Sequence, residues 1–318
     1  MGLMGLFVEI AVLCQLLAPS LVRAQTTFPG KDVGQLYDRI AVDLAAGRPL
    51  VATIYVALCD NDSQGIEKVK NRHICRGNDP DQNLYWATAG GLSATMNAEK
   101  WQRVSVAYFE EGDLAVKAVW RKSFTPGGLL RARGVTARFD AYVVGLGYRG
   151  IRIREAMTDY LQAVNRDGEI AEAANPLVLR AGGASHLVGY IGHDYFYDVD
   201  DAEPLLALQR GDSVLPKGTF ALSCTGHELI RPAIRRANAH ILMLNRTLGF
   251  PGAWTALGIL AALADGKSMK DIHHVAAAPS PRVRAFPSAP RSAHLPTATS
   301  AARLGNLRCV LWALGGTH

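Results

Sequence analysis

The sequence predicts an α/β fold in which a predominantly parallel central sheet is flanked by helices. Three apolar runs of strand length in the last third are interleaved with helical sequence, which is typical of a parallel sheet. An earlier run, PLVATIYVALC, is apolar throughout, as expected for a strand that is buried on both faces. The chain has 318 residues, of which 49% are hydrophobic, and is therefore long enough to bury a full core.

The first half of the chain predicts two helices and several strands. Leu36, Ile40 and Leu44 recur at helical spacing and Gly47 ends the pattern, so a helix precedes the buried strand. After a polar loop, the runs WQRVSVAYF, LAVKAVWRKSF and GVTARFDAYVVGLGY are strand-like. The segment GIRIREAMTDYLQAVNRDG predicts an amphipathic helix with these side chains toward the core: Ile151, Ile153, Ala156, Leu161 and Val164.

The last third repeats a strand that ends in a polar or reactive side chain. SHLVGYIGH ends in His193, GTFALSC in Cys224 and AHILMLN in Asn245. Helices are predicted in LIRPAIRRANA and WTALGILAALADG; Pro232 places the start of the first near residues 229–231, because Pro is tolerated only in a first helical turn. Ligands bind such sheets at the carboxyl ends of the strands, so we expect His193 and Cys224 at that edge.

The two ends of the chain differ from its body. Residues 1–24 contain an apolar run and a small-residue cleavage motif, which predict a signal peptide and export to the periplasm or the medium. An uncleaved membrane anchor is the alternative. Residues 25–274 form the single predicted domain, without a later membrane span. Residues 275–318 are rich in Ala, Pro, Ser and Arg without periodicity, and are predicted to be a disordered tail.

The charge distribution argues against a nucleic-acid partner. The formal net charge is +6, but five arginines and no acidic residue lie in 275–318. Because Glu9 and Arg23 cancel, residues 25–274 keep one net positive charge. A near-neutral body lacks the basic surface that binds a phosphate backbone. We therefore expect a peptide or small-molecule substrate and no nucleic acid.

Cysteine is sparse after the predicted signal peptide. Cys59 and Cys75 are the best candidate disulfide pair, since they are close in sequence and flank turn-rich segments. Cys309 belongs to the predicted tail. This leaves Cys224 outside any predicted disulfide, in the stretch FALSCTGHELIRP.

The blocks that end in Gly-His and Ser-Cys resemble the His and Cys strands of the caspase-like and legumain-like cysteine peptidase superfamily. The resemblance covers about residues 185–245 and implies a caspase-like core with Cys224 as nucleophile and His193 as general base. Where that superfamily usually has Gly after the His, this chain has Asp194, which joins His227 as a further candidate site residue. Together with ALCDNDSQGI and GNDPDQNLYW, these blocks also resemble a type of exported bacterial protein.

A Cys-His pair cleaves an acyl bond when the imidazole takes the thiol proton and the thiolate attacks the carbonyl carbon. The first predicted function is therefore an exported hydrolase of an amide, ester or lactone that requires no cofactor. A packed Cys224 and a His193 bonded to backbone are the structural alternative. Cys224 and His227 also have the spacing of half a zinc site, although a capping or turn role for His227 is favoured.

Acidic loops predict a different chemistry. DNDSQG has the spacing that opens a calcium loop, although its twelfth position is Asn71 rather than Glu; NDPDQN repeats the alternation, and HDYFYDVDDAE adds a third acidic loop. The candidate ligands are the oxygen-bearing side chains of the first two loops: Asp60, Asp62, Gln64, Asp79 and Asp81. A calcium- or metal-dependent hydrolase of a small ester or lactone, such as an N-acyl-homoserine lactone, is thus the alternative function. Solvated turns are the alternative for the acidic residues.

A third possibility for function is a non-catalytic exported binding domain that retains the sheet. The chain has no Gly-x-Ser-x-Gly motif, so an ordinary serine esterase is disfavoured. It also has no glycine pattern of dinucleotide-binding or P-loop proteins.

Overall fold

The computed structural model describes residues 33–66, 72–88, 90–198, 213–234, 237–246 and 252–277. The predicted signal peptide and residues 278–318 of the predicted tail lie outside these ranges. Among the residues within them, no helix combines the length and the apolarity that crossing a bilayer requires.

The described residues form nine strands and eight α-helices. The strands are β1 Leu50–Ala57, β2 Gln102–Tyr108, β3 Leu114–Phe124, β4 Phe139–Tyr148, β5 Glu169–Ala174, β6 Leu177–Gly182, β7 Leu187–Ile191, β8 Lys217–Leu222 and β9 Ala239–Leu244. The helices are α1 Gly34–Ala45, α2 Leu92–Ala98, α3 Gly128–Arg131, α4 Ile153–Asn165, α5 Gly226–Leu229, α6 Arg231–Ile234, α7 Ala253–Ala264 and α8 Met269–Ala277. Short 3₁₀ turns span Arg72–Cys75, Pro80–Gln82, Gly150–Arg152 and Tyr195–Tyr197.

Seven strands form one mixed, mostly parallel sheet in the order β2-β3-β4-β1-β7-β8-β9. The five strands from β4 to β9 in that order pair in parallel. At the other end, β2 and β3 run antiparallel to their neighbours. Strands β5 and β6 make a separate hairpin. The predicted α/β fold with a largely parallel sheet is confirmed, and the antiparallel end makes the sheet mixed.

Helices cover both faces of the centre of this sheet. Every residue of β1 is buried, as its apolar sequence predicts. Ile54 points into one core cluster, which contains the apolar sides of α1, α2, α7 and α8. Tyr55 points into the other cluster, with Met157 and Tyr160 of α4. Successive side chains of a strand face opposite ways, so one strand contributes to both cores.

Two details of the predicted helices are wrong. Ile151 is 65% exposed, because it lies in the 3₁₀ turn before α4 and is out of step with the buried face of that helix. The helix predicted to start near residues 229–231 is α6, which begins at Arg231, but a separate helix, α5, starts earlier, at Gly226, and was not predicted. Pro232 is the second residue of α6, where its missing N–H is harmless. It therefore constrains where α6 can begin but does not constrain α5.

A buried lysine secures the amino end of β8, opposite the edge where a site is expected. The Lys217 side chain is fully buried, and the three protons of its Nζ are shared among four oxygens within hydrogen-bond distance. These are the carbonyls of Ala163, Arg166 and Gly183, at 3.0, 2.8 and 2.5 Å, and Oδ1 of Asp167, at 3.0 Å. Burial lowers the pKa of Lys217 to about 8, and the Asp167 carboxylate opposes this effect. The ammonium thereby joins the end of α4 to the sheet.

Candidate active site

The carboxyl edge of the sheet has a switch point between β1 and β7. Along the chain, the next strand parallel to β1 is β4 on one side, whereas β7 lies on its other side. Loops that leave two such strands diverge and open a crevice, which is where α/β sheets bind ligands. A hydrogen bond connects these two loops here, because the Gly65 amide donates to Oδ1 of Asp198 at 3.1 Å.

His193 and Cys224 occupy equivalent positions beyond neighbouring parallel strands. In the pairing of β7 with β8, Ile191 lies opposite Leu222, and each candidate residue follows two positions later. The predicted placement at the carboxyl edge is therefore confirmed. Both side chains are buried, with 4% of His193 and 3% of Cys224 exposed.

A carboxylate and an aromatic ring fix the His193 imidazole. Its Nε2 lies 3.0 Å from Oδ1 of Asp198, and the Tyr197 ring stacks on it at a centroid distance of 6.3 Å. A carboxylate only accepts hydrogen bonds, so the neutral imidazole carries its proton on Nε2 and keeps its lone pair on Nδ1. Sequence reasoning included Asp198 only in an acidic loop and missed this contact. The sequence does show a carboxylate five residues after the histidine, and the 3₁₀ turn between them brings that carboxylate to the imidazole.

Asp194 joins the ends of β7 and β8 beneath this edge. Its side chain is fully buried; Oδ1 accepts from the Phe196 amide and Oδ2 from the Ser223 hydroxyl, both at 3.2 Å. Burial raises the pKa of Asp194 to about 7, although the Phe196 amide, His193 and Ser223 act in the opposite direction. The carboxyl therefore changes its charge near neutral pH.

Cys224 is a disulfide cysteine in the structure, contrary to the expectation that it lies outside any disulfide. Cys59 and Cys75 bond each other, as predicted. Thiol chemistry at Cys224 thus requires prior reduction. Thr225 follows in the left-handed region, at φ 48°, and its hydroxyl contacts the Tyr197 hydroxyl. The loop after β7 therefore touches the turn after β8.

His227 lies in α5 and connects that turn to the end of β9. Its amide donates to the Asn245 carbonyl at 2.9 Å, and its Nε2 accepts from the Arg231 guanidinium at 3.4 Å. These contacts agree with the turn role that the sequence favoured. Within the described ranges, no group of three or more His, Cys, Asp or Glu side chains is arranged to hold a metal ion.

The predicted calcium ligands are distributed over separate local contacts. Asp60 accepts from the Asp62 amide at 3.2 Å and from the Ser63 hydroxyl at 2.5 Å. The buried Gln64 amide donates to backbone carbonyls, and Asp81 accepts from the Tyr108 hydroxyl at 2.7 Å. Asp79 immediately precedes the 3₁₀ turn Pro80–Gln82. The calcium site stays a prediction, and these contacts bring no support to it.

A polar cavity of about 360 Å³ lies beside the Cys59–Cys75 disulfide, in the loop that follows β1. Its wall carries both signs of charge: Asn61, Asp62, His73, Cys75 and Arg76. The cavity is formed by the loop of the switch-point crevice and offers room for a polar ligand there.

Comparisons of the chain with protein-family models, with curated proteins and with solved structures found no match. The caspase-like resemblance therefore remains a hypothesis, carried by the His and Cys blocks of the sequence.

Proposed function

We propose that this chain is an exported hydrolase of an acyl bond, in an amide, ester or lactone, with Cys224 as nucleophile. His193 is the general base and Asp198 orients it. The observation that carries the proposal is the contact of 3.0 Å between Nε2 of His193 and Asp198. His193 follows β7 at the position that Cys224 occupies after the neighbouring strand β8. Nucleophile, base and orienting carboxylate are the three groups that this chemistry needs.

The caspase-like resemblance supports the same assignment. It requires a His after one parallel strand and a Cys after the next, and β7 and β8 are adjacent and consecutive among the described strands. Asp194 departs from the glycine of that superfamily. Its carboxyl is turned toward the Phe196 amide and Ser223, so it supports the two strand ends rather than the reacting atoms.

Catalysis begins with reduction of the Cys224 disulfide. A dithiol reductant gives two electrons to the bond, which releases the Cys224 thiol and a second thiol, while the reductant closes its own disulfide. Because disulfides persist in the oxidising compartments outside the cytoplasm, the exported chain is held in its inactive form until a reductant acts.

The thiol proton then passes to Nδ1 of His193, and the thiolate attacks the acyl carbon. The imidazolium returns the proton to the leaving amine or alcohol, which departs and leaves a thioester on Cys224. Water attacks the thioester while His193 accepts its proton; the acid leaves and the thiol is restored. Since Cys224 and His193 are both buried, the substrate reaches them only when this edge opens.

The test is turnover of a panel of peptides, esters and lactones before and after treatment with dithiothreitol. We expect hydrolysis only after reduction, and we expect Cys224→Ala and iodoacetamide to abolish it. Cys309→Ala is the control variant: it removes another cysteine and should retain turnover in the reduced protein.

Three outcomes would overturn the proposal. Retained turnover in Cys224→Ala excludes the thiol mechanism, and turnover that EDTA abolishes without any need for reductant favours the metal-dependent hydrolase. A reduced protein that is inert toward the whole panel favours a non-catalytic binding domain.

A further inference from the structure

Strand β2 extends beyond the covered part of the sheet. Six of its seven residues are exposed, so neither face packs beneath a helix. Among the described strands it pairs only with β3, and its outer edge is therefore the end of the sheet. Val106 and Tyr108 on the strand and Phe109 just after it are each more than one third exposed. An edge strand with these properties is suited to pairing with another strand.

The charges around β2 are distributed unevenly along the strand. Lys100 and Arg103 lie at its beginning, next to Glu99, whereas Glu110 and Glu111 follow its end, and all five are exposed. The net charge is therefore positive at the beginning of the strand and negative after its end.

We propose that β2 is the interface at which a second copy of this chain pairs, antiparallel and around a twofold axis. In such a pair the beginning of one strand lies beside the end of the other. Lys100 and Arg103 of one copy then face Glu110 and Glu111 of its partner, twice by symmetry. A parallel arrangement would place like charges together, so the charge pattern selects the antiparallel one.

The pairing also covers the exposed apolar side chains and the outer backbone groups of β2. The sheets of the two copies join edge to edge into one continuous sheet, and the exposed edges of both copies disappear. The candidate active site lies at the loops after β1, β7 and β8, whereas β2 is three strands away from β1 in the sheet. The dimer is therefore independent of the proposed catalytic function.

The experiment is sedimentation velocity of the full chain over the micromolar range, with four charge variants. We expect a dimer that dissociates on dilution, and we expect Arg103→Glu or Glu110→Lys to raise its dissociation constant about tenfold, because each contact occurs twice. The combined Arg103→Glu/Glu110→Lys variant should restore dimerisation. Arg154→Glu makes the same charge change on the exposed side of α4 and should have no effect.

A chain that stays monomeric over the whole range overturns the proposal. So does a dimer that neither single reversal weakens, or one that the combined variant weakens as much as the single variants together. If the combined variant dimerises again, damage to the fold cannot explain the weaker dimers of the single variants.

Discussion

Asp194→Asn should change how the stability of this protein depends on pH. The side chain is fully buried and bonded to the Phe196 amide and the Ser223 hydroxyl. An asparagine keeps the acceptor for the amide and gives the hydroxyl a donor, so it reproduces the neutral carboxyl without its titration.

The magnitude follows from the pKa of Asp194, which is about 7 in the folded chain and about 3.9 in an unfolded one. Between these values the unfolded state has released the proton that the folded state still holds, so the stability contributed by this group is lost as the pH rises. At about 1.4 kcal/mol per pKa unit, the loss between pH 5 and pH 8 is roughly 2 to 3 kcal/mol.

The assay is urea denaturation of both proteins at these two pH values. Titration of all other groups cancels in the difference between variant and wild type. We expect that difference to move in favour of Asp194→Asn by roughly 2 to 3 kcal/mol from pH 5 to pH 8. Glu228→Gln, which removes an exposed carboxylate from α5, should show no such movement. A constant difference for Asp194→Asn would refute the reasoning.

Three further predictions concern the site and its frame. Asp198→Asn removes the charge that faces His193 and should lower kcat/KM of the reduced enzyme roughly 10- to 100-fold, as expected for one charge-assisted hydrogen bond; unchanged kinetics would contradict this. Cys59→Ser/Cys75→Ser opens a disulfide with a sequence separation of 16 and should lower the free energy of unfolding in urea by about 3 kcal/mol. Lys217→Met leaves four oxygens without their common donor and should cost at least about 3 kcal/mol, and an unaltered thermal midpoint would disprove the structural role of Lys217.

Hydrophobic patterning predicted the elements that form the sheet, because buried strands need apolar residues. The apolar run at β1 is a strand buried on both faces, and the runs before His193 and Cys224 are adjacent parallel strands. The pairing of Cys59 with Cys75 was also predictable, since few cysteines lie close in sequence.

Contacts that depend on turn geometry were not accessible from the sequence. The approach of Asp198 to His193 requires the 3₁₀ turn between them, and the exposure of Ile151 results from another such turn. Burial of Lys217 depends on carbonyls from two separate segments, the end of α4 and the turn at Gly183. No periodicity encodes these arrangements, because they arise only once the sheet and helices have packed.

The most direct test of the proposed mechanism is the rate at which iodoacetamide alkylates Cys224 in the reduced protein, followed by mass spectrometry near pH 6. If His193 holds the thiol proton, the wild-type rate exceeds that of His193→Gln by about tenfold or more, because the thiolate is the reacting species. Equal rates in the two proteins would show that His193 does not activate Cys224 and would contradict the mechanism.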